Sequence, residues 1–215
     1  MDAPRRVVVF VGVVALVGLL VAVYGPFSWS RGYGLDYLRS AAVEVAEAID
    51  AGRSVRLPVD MCRGRRFVDV EVVKPGEENV SVRVWYDVLC VPAEAPAGVV
   101  RGRPDAAFVR FREAAVYFNG SWLVVDPKPL VEYYRKLEYG RTVHVVRITV
   151  FHVRGELERG SVLSLNGTSS RVYVRGYDYS GFVEVWVSGR EALRIRVARD
   201  DVLELLVVSE EWVSG

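Results

Sequence analysis

The spacing of apolar residues changes period twice along the chain. Residues 7–24 read VVVFVGVVALVGLLVAVY, 18 positions with no charge, amide or proline. As a helix this run spans about 27 Å, enough to cross the hydrocarbon of a bilayer. Residues 35–51 then place Leu35, Leu38, Ala42, Val45 and Ile49 at alternating steps of three and four. Asp36, Arg39, Glu44, Glu47 and Asp50 fall mostly on the other side, and Gly52 stands where a helix ends. This predicts a short amphipathic helix, whose stripe serves either a coiled-coil seam or a helix lying on its own domain.

From residue 54 the period becomes two. Val55, Arg56 and Leu57 open it, and residues 67–72 and 80–86 alternate around the turn Lys74-Pro75-Gly76, predicting a hairpin. Residues 91–104 are rich in Pro, Ala and Gly and read as a loop; 108–111 is a candidate short strand. Residues 115–118 and 122–125 flank Asn119-Gly120, and 161–165 and 171–175 flank Asn166-Gly167, so both pairs read as hairpins. Residues 130–139 fit a short helix or a Tyr-rich strand, and 142–153 a long β-branched strand. Segments 182–187, 193–197 and 203–208 bring the count to about ten short strands. The expected class is α+β: a hydrophobic transmembrane or filament-core helix and a short amphipathic helix, then an all-β antiparallel sandwich or open barrel. The expected division is 1–6 as a cytoplasmic end or leader, 7–24 hydrophobic helix, 25–34 linker, 35–52 amphipathic helix and 53–215 β-rich head.

Charge orients the first helix. Arg5 and Arg6 precede it and no basic residue follows until Arg31, so residues 1–6 are expected in the cytoplasm and 25–215 outside. A cleaved secretory signal or a buried core helix are the competing readings. Ala22-Val23-Tyr24 lacks the small residues of a cleavage site, and a cut after Gly25 would precede Pro26. Trp29 and Tyr33 suit a membrane–water interface.

With 51% apolar residues and a net charge of +1, the chain is neither disordered nor patterned for nucleic acid. Gln is absent, and of the 28 basic residues only Lys74, Lys128 and Lys136 are lysine. Scarce thermolabile residues fit a thermophile, although a GC-rich genome also favours arginine. All three asparagines, Asn79, Asn119 and Asn166, begin a glycosylation acceptor: Asn-Val-Ser, Asn-Gly-Ser and Asn-Gly-Thr. Ser and Thr supply about 8% of the chain, so chance would produce this on the order of once in two thousand. Turn preference explains Asn-Gly twice but not the hydroxyl two residues on. Cys62 and Cys90 are the only cysteines; outside a membrane they read as one disulfide, elsewhere as two buried thiols.

Arg5-Arg6 before an unbroken apolar helix, a second amphipathic helix running into Val55-Arg56-Leu57-Pro58, and a β-rich head together resemble the archaeal type IV pilin-like family of pilins, archaellins and pseudopilins. The stretch from Ala115-Val116-Tyr117-Phe118 through Pro127, with 143–153, is similar to heads of such proteins. The resemblance implies a non-enzymatic subunit or accessory of a surface filament, in contact with membrane lipid and self-associating, or meeting other pilin-like subunits, through its first helix. Gly12, Ala15 and Gly18 recur every three residues on one side of that helix and form a small-residue strip suited to close packing. The alternative is a solitary anchored ectodomain that binds a surface partner or glycan.

No catalytic, cofactor or metal signature emerges. His144 and His152 fall on one predicted strand, roughly 26 Å apart, too far to share a metal. Glu156 and Glu158 read as a solvated hairpin tip. Arg171, Tyr173, Arg175, Tyr177 and Tyr179 interleave base and aromatic, either a mixed sheet surface or a place for sugar to stack. The topology has a direct test: protease added to intact cells should digest the head of a membrane-fractionating protein, and full protection of the head would overturn this orientation.

Overall fold

The computed structural model describes residues 33–74, 76, 78–176 and 180–215. Among them stand one helix, α1 (Leu35–Asp50), and twelve strands: β1 (Val55–Arg56), β2 (Cys62–Val73), β3 (Val80–Pro92), β4 (Gly98–Arg101), β5 (Ala115–Phe118), β6 (Trp122–Asp126), β7 (Leu130–Glu138), β8 (Arg141–Arg154), β9 (Val162–Gly176), β10 (Gly181–Val187), β11 (Arg190–Val197) and β12 (Val202–Ser214). They form a five-stranded sheet, β1-β9-β12-β8-β7, and a seven-stranded sheet, β11-β10-β2-β3-β6-β5-β4.

This corrects the expected class. The described residues are mostly β with a single short helix, and none of their helices is long and apolar enough to cross a membrane. Nor is the β part purely antiparallel, because β8 and β12 pair in parallel from Val202↔Val143 to Val213↔Arg154. The reason lies in β12, where Val202, Leu203, Leu205, Val207 and Val208 are all buried. Near-continuous burial suits a central strand flanked on both sides, not an edge hairpin. The hydrophobic helix expected over 7–24, with Gly12, Ala15 and Gly18, lies outside the described residues.

α1 forms as its periodicity dictates. Gly52 takes φ 63°, Arg53 N–H reaches the Ala48 carbonyl at 2.9 Å, and Gly52 N–H reaches that of Ile49 at 3.1 Å. These bonds satisfy carbonyls that the last turn would otherwise leave bare. Leu38, Ala42, Val45 and Ile49 are buried and Leu35 is exposed; Ala41, Ala46 and Ala48 widen the buried face beyond a coiled-coil seam. That face packs on β5 and β6 within a core that also holds Leu57, Leu89, Phe151 and Trp212. A second core fills the space between the sheets, with Val68, Val70, Val84, Val146, Ile148 and Leu205 among its members.

Several other expectations shift. Asn166 does not mark a hairpin: β9 runs straight through it, paired with β12, and skips register between Leu165↔Trp212 and Gly167↔Glu211, so Asn166 is the bulged residue. Thirteen residues of β12 offer a continuous pairing edge, and that outweighs a local turn preference. The tight turns fall at Tyr139-Gly140 and Ser188-Gly189 instead, each with two positive φ angles. The 91–104 loop contains β4, 108–111 contributes only a bridge from Val109 to Leu130, and 130–139 resolves into β7. The β5–β6 hairpin turns at Gly120, with Asn119 exposed and its Oδ1 accepting from Trp122 N–H at 3.0 Å.

Trp212 is fully buried where β12 meets the core under α1. Trp212→Ala should cost about 3–5 kcal/mol in chemical denaturation, against about 0.5 kcal/mol or less for the partly exposed Trp122→Ala. Equal losses would contradict this placement of the core.

Candidate functional site

Among the residues singled out in the sequence, Cys62 and Cys90 are disulfide-bonded and sit opposite each other where β2 begins and β3 ends. Asn79, Asn119 and Asn166 all have exposed side chains on three separate segments. Glu156 and Glu158 are exposed and Arg171 stacks over Tyr173 at 5.0 Å; Tyr177 and Tyr179 lie outside the described residues. None of these converges on a common site.

Two features that do converge meet on β2 and β3. The first is an aromatic face. Register pairs Phe67 with Trp85 and Asp69 with Arg83, and alternation sends all four to the same side. Phe67 and Trp85 remain 45% and 46% exposed with ring centroids 5.1 Å apart. The Arg83 guanidinium lies 4.2 Å from the Phe67 centroid and is held there by two bonds to Asp69, at 2.8 and 3.2 Å. Trp186, which donates to Glu184, and Phe182, under Arg194, extend this face onto β10.

The second feature is a cleft of about 400 Å³ lined by Arg65, Arg66, Phe67, Trp85, Tyr86, Lys128 and the 106–107 backbone segment. It opens where β10, whose pairing with β2 is confined to Val70–Val73, leaves the first half of β2 without a neighbour on that edge. Behind it lies Asp126, fully buried. Its Oδ2 accepts from Arg66 Nη1 at 2.8 Å and from Tyr117 Oη at 3.4 Å and forms an ion pair with Lys128 Nζ at 2.8 Å, while its Oδ1 has no hydrogen-bond partner. Lys128 also donates to the Pro104 carbonyl at 3.0 Å. Alternation explains the convergence: Arg66, Tyr86, Tyr117 and Asp126 each occupy the next core-facing position after Val68, Val84, Ala115 and Val124.

The electrostatics favour holding a ligand over moving a proton. Burial, with the Asp126 charge adding to it, pushes the Tyr117 hydroxyl up to about 12 and Tyr86 higher still. Burial opposes the Arg66 charge, but Asp126 and the two phenols more than offset it, so its pKa rises. The cleft therefore presents a charged Arg66 and a neutral Tyr86 phenol at ordinary pH. Arg65 faces Asp87 at 3.5 Å, and buried Asp87 accepts from Val153 N–H at 3.0 Å, tying β3 to β8.

The two histidines are apart, as their strand spacing requires. His144 is buried, with Nδ1 bonded to Tyr133 Oη at 2.8 Å and Nε2 to Asp201 at 2.9 Å; His152 lies 3.6 Å from Asp87. Sequence reasoning missed Arg66, Asp126 and Lys128. The signal was available in Trp122-Leu-Val-Val-Asp126, where the aspartate takes the next inward place of a buried strand. No family model matches the chain, and no curated protein or solved structure is similar to it.

Among the described residues, three carboxylates sit below their ordinary values: Asp201 through the His144 bond and the Ala198 N–H, Asp69 through Arg83, and Glu138 through Lys136 and Arg175. A depressed folded-state pKa adds stability that is fully present above the ordinary values of 3.8 to 4.5 and is lost as pH falls through the lower folded ones. The melting temperature should thus fall below about pH 4. Asp201→Asn should lower it at neutral pH and shrink the further acid loss. A wild-type melting temperature flat from neutral pH to about pH 2 would contradict the assignment.

Proposed function

We propose that this chain is a membrane-anchored ectodomain whose head binds a saccharide on the aromatic face of the seven-stranded sheet. The observation that carries the reading is the exposed Phe67–Trp85 pair, braced by Arg83 and Asp69. Sugar rings expose flat C–H surfaces that stack on aromatic rings, and their hydroxyls need donors and acceptors at the rim. Asp69, Glu71, Arg65 and Arg83 supply both around the pair. A protein interface of this kind would favour an apolar centre depleted of charge, whereas here charges alternate with the rings. A nucleic-acid interface would not place Asp69, Glu71 and Glu184 on the contact face.

The anchored, extracellular placement is supported by Arg5-Arg6 before the apolar run, by three exposed acceptor asparagines and by the Cys62–Cys90 disulfide. In this reading 7–24 is the anchor. The self-association that the pilin-like resemblance implies through Gly12, Ala15 and Gly18 belongs to the anchor and does not compete with the head, because α1 spends its apolar face on its own domain.

A glycan microarray probed with the full chain in mild detergent identifies ligands, and tryptophan fluorescence titration measures affinity. Phe67→Ala and Trp85→Ala should each weaken binding roughly tenfold or more, with Trp122→Ala unaffected. Absence of binding to any saccharide, or binding indifferent to Trp85→Ala, would overturn the proposal.

A further inference from the structure

We infer that the saccharide bound by this head is acidic, with a carboxylate or sulfate group seated in the cleft between Arg66 and Lys128. The inference rests on the saccharide reading and deepens it, since Phe67 and Trp85 line both the aromatic face and the cleft.

Charge balance carries it. Arg65, Arg66 and Lys128 face the cleft, and the carboxylates paired with them are Asp87 and Asp126. Three cations meet two carboxylates, which leaves one positive charge in excess. That excess sits at depth: the Lys128 side chain is only 4% exposed, and it shares a single Asp126 oxygen with Arg66. A buried cation without a full counter-charge is costly, and an incoming anion relieves that cost. Arg66 and Lys128 also supply the chemistry. Guanidinium and ammonium donors form short, charge-assisted bonds to carboxylate or sulfate oxygens. Lys128 donates one N–H to the Pro104 carbonyl and pairs with Asp126 through charge, so its ammonium keeps donor capacity for a ligand. Neutral Tyr86 adds a hydroxyl to the wall. A volume of about 400 Å³ lies at the lower end of the range, roughly 300–1,000 Å³, typical of small-molecule sites. One sugar ring stacked near Trp85 can therefore direct a substituent into the cleft while the rest of the chain lies across the sheet.

The test is calorimetric titration of the full chain in mild detergent with three probes of matched length: oligogalacturonate, a sulfated oligosaccharide and a neutral cello-oligosaccharide, each at about 50 mM and about 500 mM salt. The acidic probes should bind at least roughly tenfold tighter than the neutral one at low salt, with the advantage shrinking at high salt. Which acidic probe wins assigns the group as carboxylate or sulfate. Arg66→Gln should erase the advantage, and Trp85→Ala should weaken binding of all three probes. Arg65→Gln, at a more exposed position, should reduce the advantage, and its cooperative thermal transition checks that the chain is folded. Equal affinity for acidic and neutral probes, or a preference that survives both arginine substitutions, overturns the inference. In that event Trp85-dependent binding of the neutral probe would leave the saccharide reading standing, whereas no binding by any probe would remove both.

Discussion

The fold depends on the seating of β12 between β8 and β9. That strand is bonded along its length on both sides, parallel to one neighbour and antiparallel to the other. Its side chains reach into every packed region. Leu203, Leu205 and Val207 fill the space between the sheets, Val202 joins the small cluster with Val143 and Val145, and Trp212 completes the core under α1. Its charged positions are tied as well: Glu204 meets Lys136 and Arg175, and Glu210 pairs with Arg112. The Arg112 contact fixes the far end of the 102–114 segment, whose Pro104 carbonyl receives Lys128 beside the cleft. A strand in the opposite sheet from the site thus sets one wall of that site. Because β8 and β12 are distant in sequence, their pairing is a non-local contact, the kind that forms late and slowly.

At the site, one structural rule produces two environments. Consecutive residues of a strand face opposite ways, so Arg66 and Phe67, or Trp85 and Tyr86, belong to different surfaces while standing side by side. The open surface receives rings and exposed ion pairs. An exposed pair such as Arg83–Asp69 adds little to stability, but two bonds and a stacked ring fix the guanidinium in one place, which lowers the ordering cost of a ligand that uses it. The inward surface receives Asp126, whose burial would be untenable without Arg66 and Lys128.

What the sequence made legible is what local patterning controls. The 3.6-residue spacing and Gly52 located α1 to within a residue or two, alternation located the second half of β2 and the first half of β3, and Asn119-Gly120 located the β5–β6 hairpin. Global pairing was not legible. Asn166-Gly167 reads as a turn in isolation, but a 13-residue partner strand keeps β9 extended through it. Tyr139-Gly140 turns without any Asn or Asp, because the I′ geometry demands positive φ and the fully exposed Tyr139 tolerates it. β4 lay hidden in a segment rich in Pro and Ala, since its pairing with β5 rather than its own propensity makes it a strand. The site was illegible for the same reason: Arg66, Asp126 and Lys128 come from three segments whose meeting depends on sheet order.

Trp85, Asp87, Leu89 and Val91 alternate along one face of β3, and their fates differ. Leu89 and Val91 are buried in the core under α1, Asp87 is buried against the β8 backbone, and Trp85 is left open. If that face were exposed only because the helix is too short to cover it, aliphatic residues would be expected across its whole length. Instead the aliphatic residues stop where α1's core stops, and the open part holds Phe67, Trp85, Arg83 and Asp69, groups that combine stacking surface with polar edges. The same chain segment thus separates a half built to be covered permanently by its own helix from a half built to meet water and something dissolved in it. Tyr33, stacked on Tyr37 and bonded to Arg159 at 2.9 Å, secures the point at which the chain enters α1.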